Sequence, residues 1–289
     1  MPVMATTSAT TTTTSVPVAK KRSQALAITR ATLSNARMLV AGGIFYGALI
    51  ALVVGLIYPT MRSINLAGYL SSNVVSSIIG SHLVNPTSFA SLMGIELYSA
   101  FGCLLFGGIV AYASGAAIPL NIENGTLDLA LSRPVGRVQY YLENWLGILI
   151  GSVIILLAIA FFAWLATFLV QNPDLDWQWF WLTQLVFFSF FFFAAGMGML
   201  IGSFMNAGRA SGGLAVGIIA LGYIINIVGS LSSQFDWLLK SGPFYYAPTT
   251  QVISAHQLTW WYPVVLFGAG VICGLVGLFI FQKRDLPTL

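Results

Sequence analysis

Six long apolar stretches, almost free of charge, constrain this chain more than any other feature of its sequence. A helix needs about 20 apolar residues to cross the hydrocarbon core of a bilayer. Backbone groups inside lipid must also bond to one another, which a helix achieves within a single segment. The sequence therefore predicts an all-α polytopic membrane protein with six transmembrane helices. The stretches are residues 38–58, 96–118, 144–170, 179–204, 211–231 and 261–281.

The proportion of charge supports this class and argues against others. Charged residues make up 7% of the 289, whereas a soluble domain carries roughly 25%. The excess of basic over acidic residues, 12 against 8, is too small to indicate nucleic acid, and no nucleic-acid partner is expected. Residues 1–19 are Thr-rich and uncharged, which predicts a disordered tail. Residues 20–289 are predicted to form a single transmembrane domain.

The basic residues predict which side of the membrane each end of the chain occupies. If the N-terminus is cytoplasmic, 10 of the 12 basic residues fall in inner segments, and only Arg62 and Lys240 fall in outer ones. The opposite topology would violate the positive-inside bias. We therefore predict a multi-pass protein of the cell membrane with both termini cytoplasmic. The ten inner residues are Lys20, Lys21, Arg22, Arg30, Arg37, Arg133, Arg137, Arg209, Lys283 and Arg284.

This topology predicts opposite accessibility for two serines. In a variant lacking the native Cys103 and Cys273, a membrane-impermeant thiol reagent applied to intact cells should label Ser241→Cys and leave Ser132→Cys unlabelled. The reason is that position 241 lies in an outer segment and position 132 in an inner one. Labelling of position 132 from outside would contradict the topology.

The segments outside the six stretches carry weaker signals. Residues 20–37 are basic with apolar residues interspersed, which predicts an interfacial helix leading into the first span. The outer segments 59–95 and 232–260 have no assigned role. Within the six apolar stretches, glycine pairs at i, i+4 spacing occur five times and predict close helix packing at some of the positions. They are Gly43/Gly47, Gly147/Gly151, Gly198/Gly202, Gly213/Gly217 and Gly270/Gly274.

The inner segment between the second and third spans has the most distinctive sequence. Asn124 or Thr126 can cap a short helix there, and Pro134 would end it. Apolar residues at i, i+3 and i+4 spacing would share one face, and basic residues add charge at the cytoplasmic surface. The expected product is a short amphipathic helix across the inner ends of two spans. On the physics alone, an ordinary basic inner loop is an equally open interpretation.

The run ENGTLDLALSRPVGR at 123–137 closely resembles the pattern E..GTL..LLS.PVSR of ABC-2-type permeases, the membrane subunits of ATP-binding cassette transporters. The tail at 281–286, FQKRDL, is similar to one with which many members end. One departure is Glu143-Asn144, where many members carry a lysine. The resemblance implies a permease with six spans, a cytoplasmic N-terminal elbow helix and a coupling helix between the second and third spans.

The same resemblance implies the partners. The coupling helix would dock on a separate ATP-binding subunit, and the transporter would contain two permeases, for which a homodimer is expected, within membrane lipid. It also implies an exporter, whose cargo the sequence does not identify. The resemblance implies that ten residues of this segment couple the permease to the ATP-binding subunit: Glu123, Gly125, Thr126, Leu127, Asp128, Leu131, Ser132, Arg133, Pro134 and Arg137.

The lysines show that the chain does not hydrolyse ATP itself. A phosphate-binding loop needs a lysine within the pattern GxxxxGK[ST]. None of Lys20, Lys21, Lys240 and Lys283 lies in that pattern. We therefore expect a transport subunit without catalytic residues and without a bound cofactor, with ATP and Mg²⁺ on the partner subunit.

Two other functional classes would require features that the spans lack. An ion-coupled secondary transporter or channel would be expected to place ionisable residues or broken helices at mid-membrane, and an intramembrane enzyme would need a catalytic constellation. The spans offer neither. Glu96, at the outer end of the second span, either lines a transport path or simply reaches water. His82 and His256 have no ligand partners at metal-binding spacing, so no metal site is expected.

Overall fold

The computed structural model describes residues 26–63, 88–125, 136–170 and 173–284. Every regular element within these ranges is helical. Six helices are long and apolar enough to cross a membrane, which confirms the predicted class. They are α1 (Ala27–Ser63), α3 (Ala100–Glu123), α4 (Arg137–Thr167), α5 (Trp177–Phe204), α6 (Gly208–Ser230) and α9 (Trp261–Lys283). Three shorter helices are α2 (Phe89–Glu96), α7 (Asp236–Ser241) and α8 (Thr249–Ala255).

The bundle has two ends of different construction. The end that contains the N-terminus of α1, the turn from α5 to α6 and the C-terminus of α9 is called the basal end below. Direct hydrogen bonds join these elements to each other or to the first turns of α4. The opposite end, called the capped end, carries α2, α7, α8 and two short 3-10 turns, Ser233–Phe235 and Pro243–Tyr246.

Helix α5 occupies the centre of the bundle. It packs extensively against α3 and α9, and also contacts α4, α6 and α8. Its run of phenylalanines therefore serves mainly internal packing: Phe187, Phe190 and Phe191 are fully buried. Their rings pack against neighbours on α3 and at the capped end, including Phe106 and Phe244. In lipid, such packing supplies much of the force that holds helices together.

Four of the five glycine pairs pack inside the bundle. The pair on α1 faces isoleucines of α4, and the pair on α4 faces the first turns of α1. Gly198 and Gly202 lie against the backbone of α3, and the pair on α9 packs against aromatic residues of α5 and α4. Gly213 and Gly217 of α6 differ, because a Cβ added at either position would meet no heavy atom within 4 Å. Close packing is thus confirmed at four pairs.

The second span begins later than predicted, and Glu96 lies outside it. Residues 89–96 form the separate helix α2, and α3 starts at Ala100. Ser99 is the N-cap of α3, where its hydroxyl accepts a hydrogen bond from the backbone N–H of Gly102. The predicted start at residue 96 was therefore wrong by four residues, because hydropathy does not detect a break between two apolar helices.

Helix α1 starts eleven residues earlier than the first predicted span. Its 37 residues measure about 55 Å, well beyond the roughly 30 Å of a hydrocarbon core. Residues 27–37, the described part of the predicted elbow, continue directly into the span. A separate elbow helix is therefore not seen in residues 27–37, and residues 20–25 lie outside the described part of the chain.

Asp174 has a structural role at the capped end. Its Oδ1 accepts a hydrogen bond of 2.8 Å from the backbone N–H of Phe89, in the first turn of α2. Ser88 caps the same helix through the N–H of Ser91 at 3.0 Å. Asp174 thereby connects the segment between α4 and α5 to α2. The sequence alone does not reveal this role of the carboxylate.

Candidate functional sites at the basal end

The segment predicted to form a coupling helix begins and ends at the basal end. Helix α3 ends at Glu123, and Asn124 is its C-cap rather than the N-cap of a new helix. Gly125 has φ of 65°, the left-handed conformation that glycine adopts without strain. Helix α4 begins at Arg137. The remaining candidates, Thr126, Leu127, Asp128, Leu131, Ser132, Arg133 and Pro134, lie outside the described residues.

Arg137 binds the end of the last span. Its Nη1 donates to the carbonyl oxygens of Gln282, at 3.0 Å, and Arg284, at 2.8 Å. Carbonyl groups in the last turn of a helix have no partner within the helix, and a cation is favoured beside them. The family resemblance assigns Arg137 to the coupling role, which stays a prediction. Within this chain Arg137 connects the end of the candidate coupling segment to α9.

Arg284 continues this connection to the turn between α5 and α6. Its Nη1 donates to the carbonyl oxygens of Ser203, at 2.9 Å, and Met205, at 3.0 Å, while Nη2 donates to Oδ1 of Asn206. Burial lowers the pKa of Arg284 from its ordinary value. Together, Arg137, Arg284 and their acceptors form what we call the basal arginine junction, in which the starts of α4 and α6 meet the ends of α5 and α9.

Aromatic packing supports the junction from within the bundle. Phe281 is fully buried and stacks against Tyr140, with ring centroids 6.1 Å apart, and lies 6.0 Å from the ring of Tyr141. The Tyr141 hydroxyl donates to the carbonyl oxygen of Gly274 at 3.0 Å. The first turns of α4 are therefore fixed to α9 by both ring packing and hydrogen bonds.

Glu143 holds the start of α1. It is only 8% exposed. Its Oε2 accepts from the backbone N–H of Ile28 at 3.2 Å, and its Oε1 accepts from Gln139 at 2.8 Å. Free N–H groups at a helix start favour a carboxylate. The residue that departs from the family pattern thus has a structural role at the start of α1.

A cavity of about 240 Å³ lies beside this region, between α1, α3, α4 and α6. We call it the basal cleft. Its polar lining residues are Thr32, Asn35, Tyr112, Asn121 and Arg209, and the rest of the lining is apolar. Two hydrogen bonds anchor its walls to α4: Thr32 donates to Asn144 at 2.7 Å, and Asn121 donates to the Tyr140 hydroxyl at 2.8 Å.

Glu96 is far from these features in the fold. It is the last residue of α2 at the capped end, and its side chain is exposed. The structure does not bring it together with the candidate coupling residues at 123–137. Its role in a transport path stays a prediction.

A sequence comparison identifies the family. The profile described as "Multidrug efflux system permease Rv1217c, C-terminal domain" matches residues 95–282, about two thirds of the chain and five of its six spans. The chain belongs to this permease family. None of the curated proteins compared with the chain matches it. The match includes the candidate coupling segment and Arg137, and it ends two residues before Arg284.

These sites could be predicted only in part from the sequence. The similarity of residues 281–286 to a family tail marked Arg284 without indicating its bonding partners. No pattern marked the basal cleft, because its walls come from four helices that are separated along the chain. Position at a span boundary was the one available signal for Arg209, and the positive-inside rule already accounted for it.

Proposed function

We propose that this permease is the transmembrane subunit of an ABC-2-type, ATP-driven exporter, whose cargo belongs to the drugs that a multidrug efflux system removes. The observation that carries the proposal is the coincidence of a family match over residues 95–282 with the pattern at 123–137. The chain contains no phosphate-binding loop of the form GxxxxGK[ST]. A separate ATP-binding subunit, which carries ATP and Mg²⁺, would therefore supply the energy.

The partner would dock at the basal end, and the basal end would be cytoplasmic. The described basic residues support this orientation: Arg30, Arg137, Arg209, Lys283 and Arg284 lie at or near the basal end, whereas Lys240 belongs to α7 at the capped end. Positive charge is enriched on the cytoplasmic side of membrane proteins. A second copy of the permease would complete the translocation path.

The candidate coupling segment is held at both ends by spans of the bundle. A permease without its own nucleotide site must receive work through an element that touches the ATPase. The segment starts from the end of α3 and enters α4 at Arg137, whose side chain bonds to the end of α9. Displacement of this segment would therefore be transmitted directly to three spans.

The test is reconstitution with an ATPase. The chain is purified in mild detergent from its native membrane, and a co-purifying subunit with a phosphate-binding loop is identified by mass spectrometry. Both proteins are then reconstituted, and ATP hydrolysis is measured with and without the permease. Stimulation of hydrolysis supports the proposal. A permease that purifies without any such subunit, and that transports with an ion gradient alone, would make it a secondary carrier.

Two substitutions locate the docking surface. Burial of one leucine contributes roughly 1.5–3 kcal/mol, so Leu127→Asp or Leu131→Asp should weaken ATPase binding by more than tenfold at about 1.4 kcal/mol per decade. Asp236→Asn is the control, because this exposed residue lies at the capped end. Normal binding and stimulation by both leucine variants would show that this segment is not the coupling element.

A further inference from the structure

The basal cleft gathers polar groups that have no protein partner. Asn35 of α1, Tyr112 of α3 and Arg209 of α6 line it. The side chains of these three residues make no hydrogen bond or ion pair with any other residue that the structure describes. Polar groups near a membrane that lack a protein partner are satisfied by water or by a ligand. Asn35 and Arg209 are exposed and Tyr112 is half-buried, so three helices present hydrogen-bonding groups to one space that is open to water or to a ligand.

The charge of the residues that line the cleft favours a ligand of one charge. Arg209 is the one ionised residue among those that line it. It lies in the first turn of α6, whose N-cap residue Ala207 makes no side-chain cap hydrogen bond. The positive end of the helix and its uncapped N–H groups therefore add to the arginine charge. An anionic group is the chemistry that this end of the cleft would accept.

Most of the lining of the cleft is apolar. The apolar residues are Ala36, Leu39, Ala113, Ala116, Ala117, Leu120 and Ile148. Uncharged sequence begins at residue 38 in α1 and at residue 210 in α6. Arg209 therefore lies at the edge of the uncharged part of the bundle, in the same cleft as these apolar side chains.

We propose that the basal cleft binds a membrane amphiphile with an anionic head, the head beside Arg209 and the adjoining chain against the apolar lining of the cleft. A phospholipid of the bilayer and an amphiphilic cargo present the same chemistry to this site. The site requires no ATPase, so its test is independent of the proposed function.

The test uses photoactivatable phosphatidylglycerol, with the reactive group in the acyl chain, in nanodiscs of phosphatidylcholine that contain the full chain. Irradiation should attach the probe to residues 32–39 or 112–121, as mapped by mass spectrometry. Arg209→Gln should reduce this labelling about tenfold, because a hydrogen bond to a charged group is lost. Arg30→Gln is the matched control, since Arg30 is an exposed basal arginine outside the cleft.

A second variant tests the cavity without changing charge. Ala117→Phe places a ring in the cleft and should also abolish labelling, with the elution profile of the folded protein unchanged. Equal labelling of wild type and Arg209→Gln, or labels spread evenly over the lipid-facing helices, would overturn the proposal.

Competition separates the two sources of the ligand. Displacement of the probe by unlabelled phosphatidylglycerol but not by dodecyl phosphate assigns the site to a bilayer phospholipid. Displacement by both extends it to single-chain amphiphiles and hence to cargo, and both outcomes support an amphiphile site. Displacement by inorganic phosphate alone, at the same concentration, would overturn it in favour of a simple anion site.

Discussion

Alanine at position 196 is expected to prevent stable packing of the bundle. Gly196 of α5 crosses Gly270 of α9 so closely that a Cβ at 196 would overlap the Gly270 carbonyl oxygen and lie 3.0 Å from its Cα. The obstructing atoms are backbone, so no side-chain rotation relieves the overlap, and the two helices must separate. We expect Gly196→Ala to cost about 3 kcal/mol, at the upper end of overpacking effects.

The matched control is Gly213→Ala. Position 213 is also a helical glycine in a span, but a Cβ there meets no heavy atom within 4 Å. Alanine should be neutral there, or stabilising by up to about 1 kcal/mol through helix propensity. Thermal midpoints from fluorescence-detected size-exclusion chromatography would compare the two variants. Equal midpoints for Gly196→Ala and wild type would show that α5 and α9 do not cross as described.

These two glycines illustrate what could be predicted from the sequence. The number and class of spans followed from hydropathy, because a bilayer demands long uncharged helices. Which glycine pairs face other helices did not follow, because a lipid-facing surface is as apolar as an internal one. Gly198/Gly202 and Gly213/Gly217 have the same spacing in the sequence, yet only the first pair packs within the bundle.

Helix ends were harder to predict than spans. The start of α4 at Arg137, rather than at residue 144, depends on contacts with α1 and α9 that cover its polar first turns. The start of α2 depends on Asp174, a residue 85 positions away. Hydropathy reports where a helix enters lipid, whereas caps and tertiary contacts decide where it begins and ends.

The candidate sites were predictable in the same uneven way. A local run of residues, 123–137, carried the family resemblance and could be recognised without a fold. The basal arginine junction could not be recognised in this way. Arg137 and Arg284 are 147 positions apart, and they bond to backbone carbonyl groups, which every residue has and no sequence pattern marks. Glu143 was visible only as a departure from a pattern, and its capping of α1 required the structure.

The same long-range bonds lead to the second large expected effect. Arg284→Gln should uncouple the proposed ATPase from the permease while leaving the two subunits bound. Arg284 joins the end of α9 to Ser203, Met205 and Asn206 in the turn from α5 to α6. Glutamine is too short and has too few donors to reach all three acceptors. Motion received by α4 and α9 would then no longer reach the α5–α6 turn through the junction.

Lys283→Gln is the control for this variant. It removes the same charge from the neighbouring residue. The ammonium group of Lys283 lies over the ring of Phe279, 4.1 Å from the centroid, and the hydrogen bonds to the described α5–α6 turn come from Arg284. The Arg284→Gln permease should still co-purify with the ATPase. In the reconstituted pair, the permease-stimulated rate of ATP hydrolysis should fall about tenfold or more, which corresponds to roughly 1.4 kcal/mol of coupling. Lys283→Gln should behave as wild type in both assays.

Hydrogen–deuterium exchange gives a reading that does not depend on any partner. In the permease alone, Arg284→Gln should accelerate amide exchange at residues 203–208 and 280–284, because both segments lose the hydrogen bonds that join them. Lys283→Gln should leave exchange there unchanged. Faster exchange with normal stimulation of hydrolysis would make the junction purely structural. Unchanged exchange in Arg284→Gln would mean that other contacts hold the α5–α6 turn, and that the junction is not what fixes this turn to the end of α9.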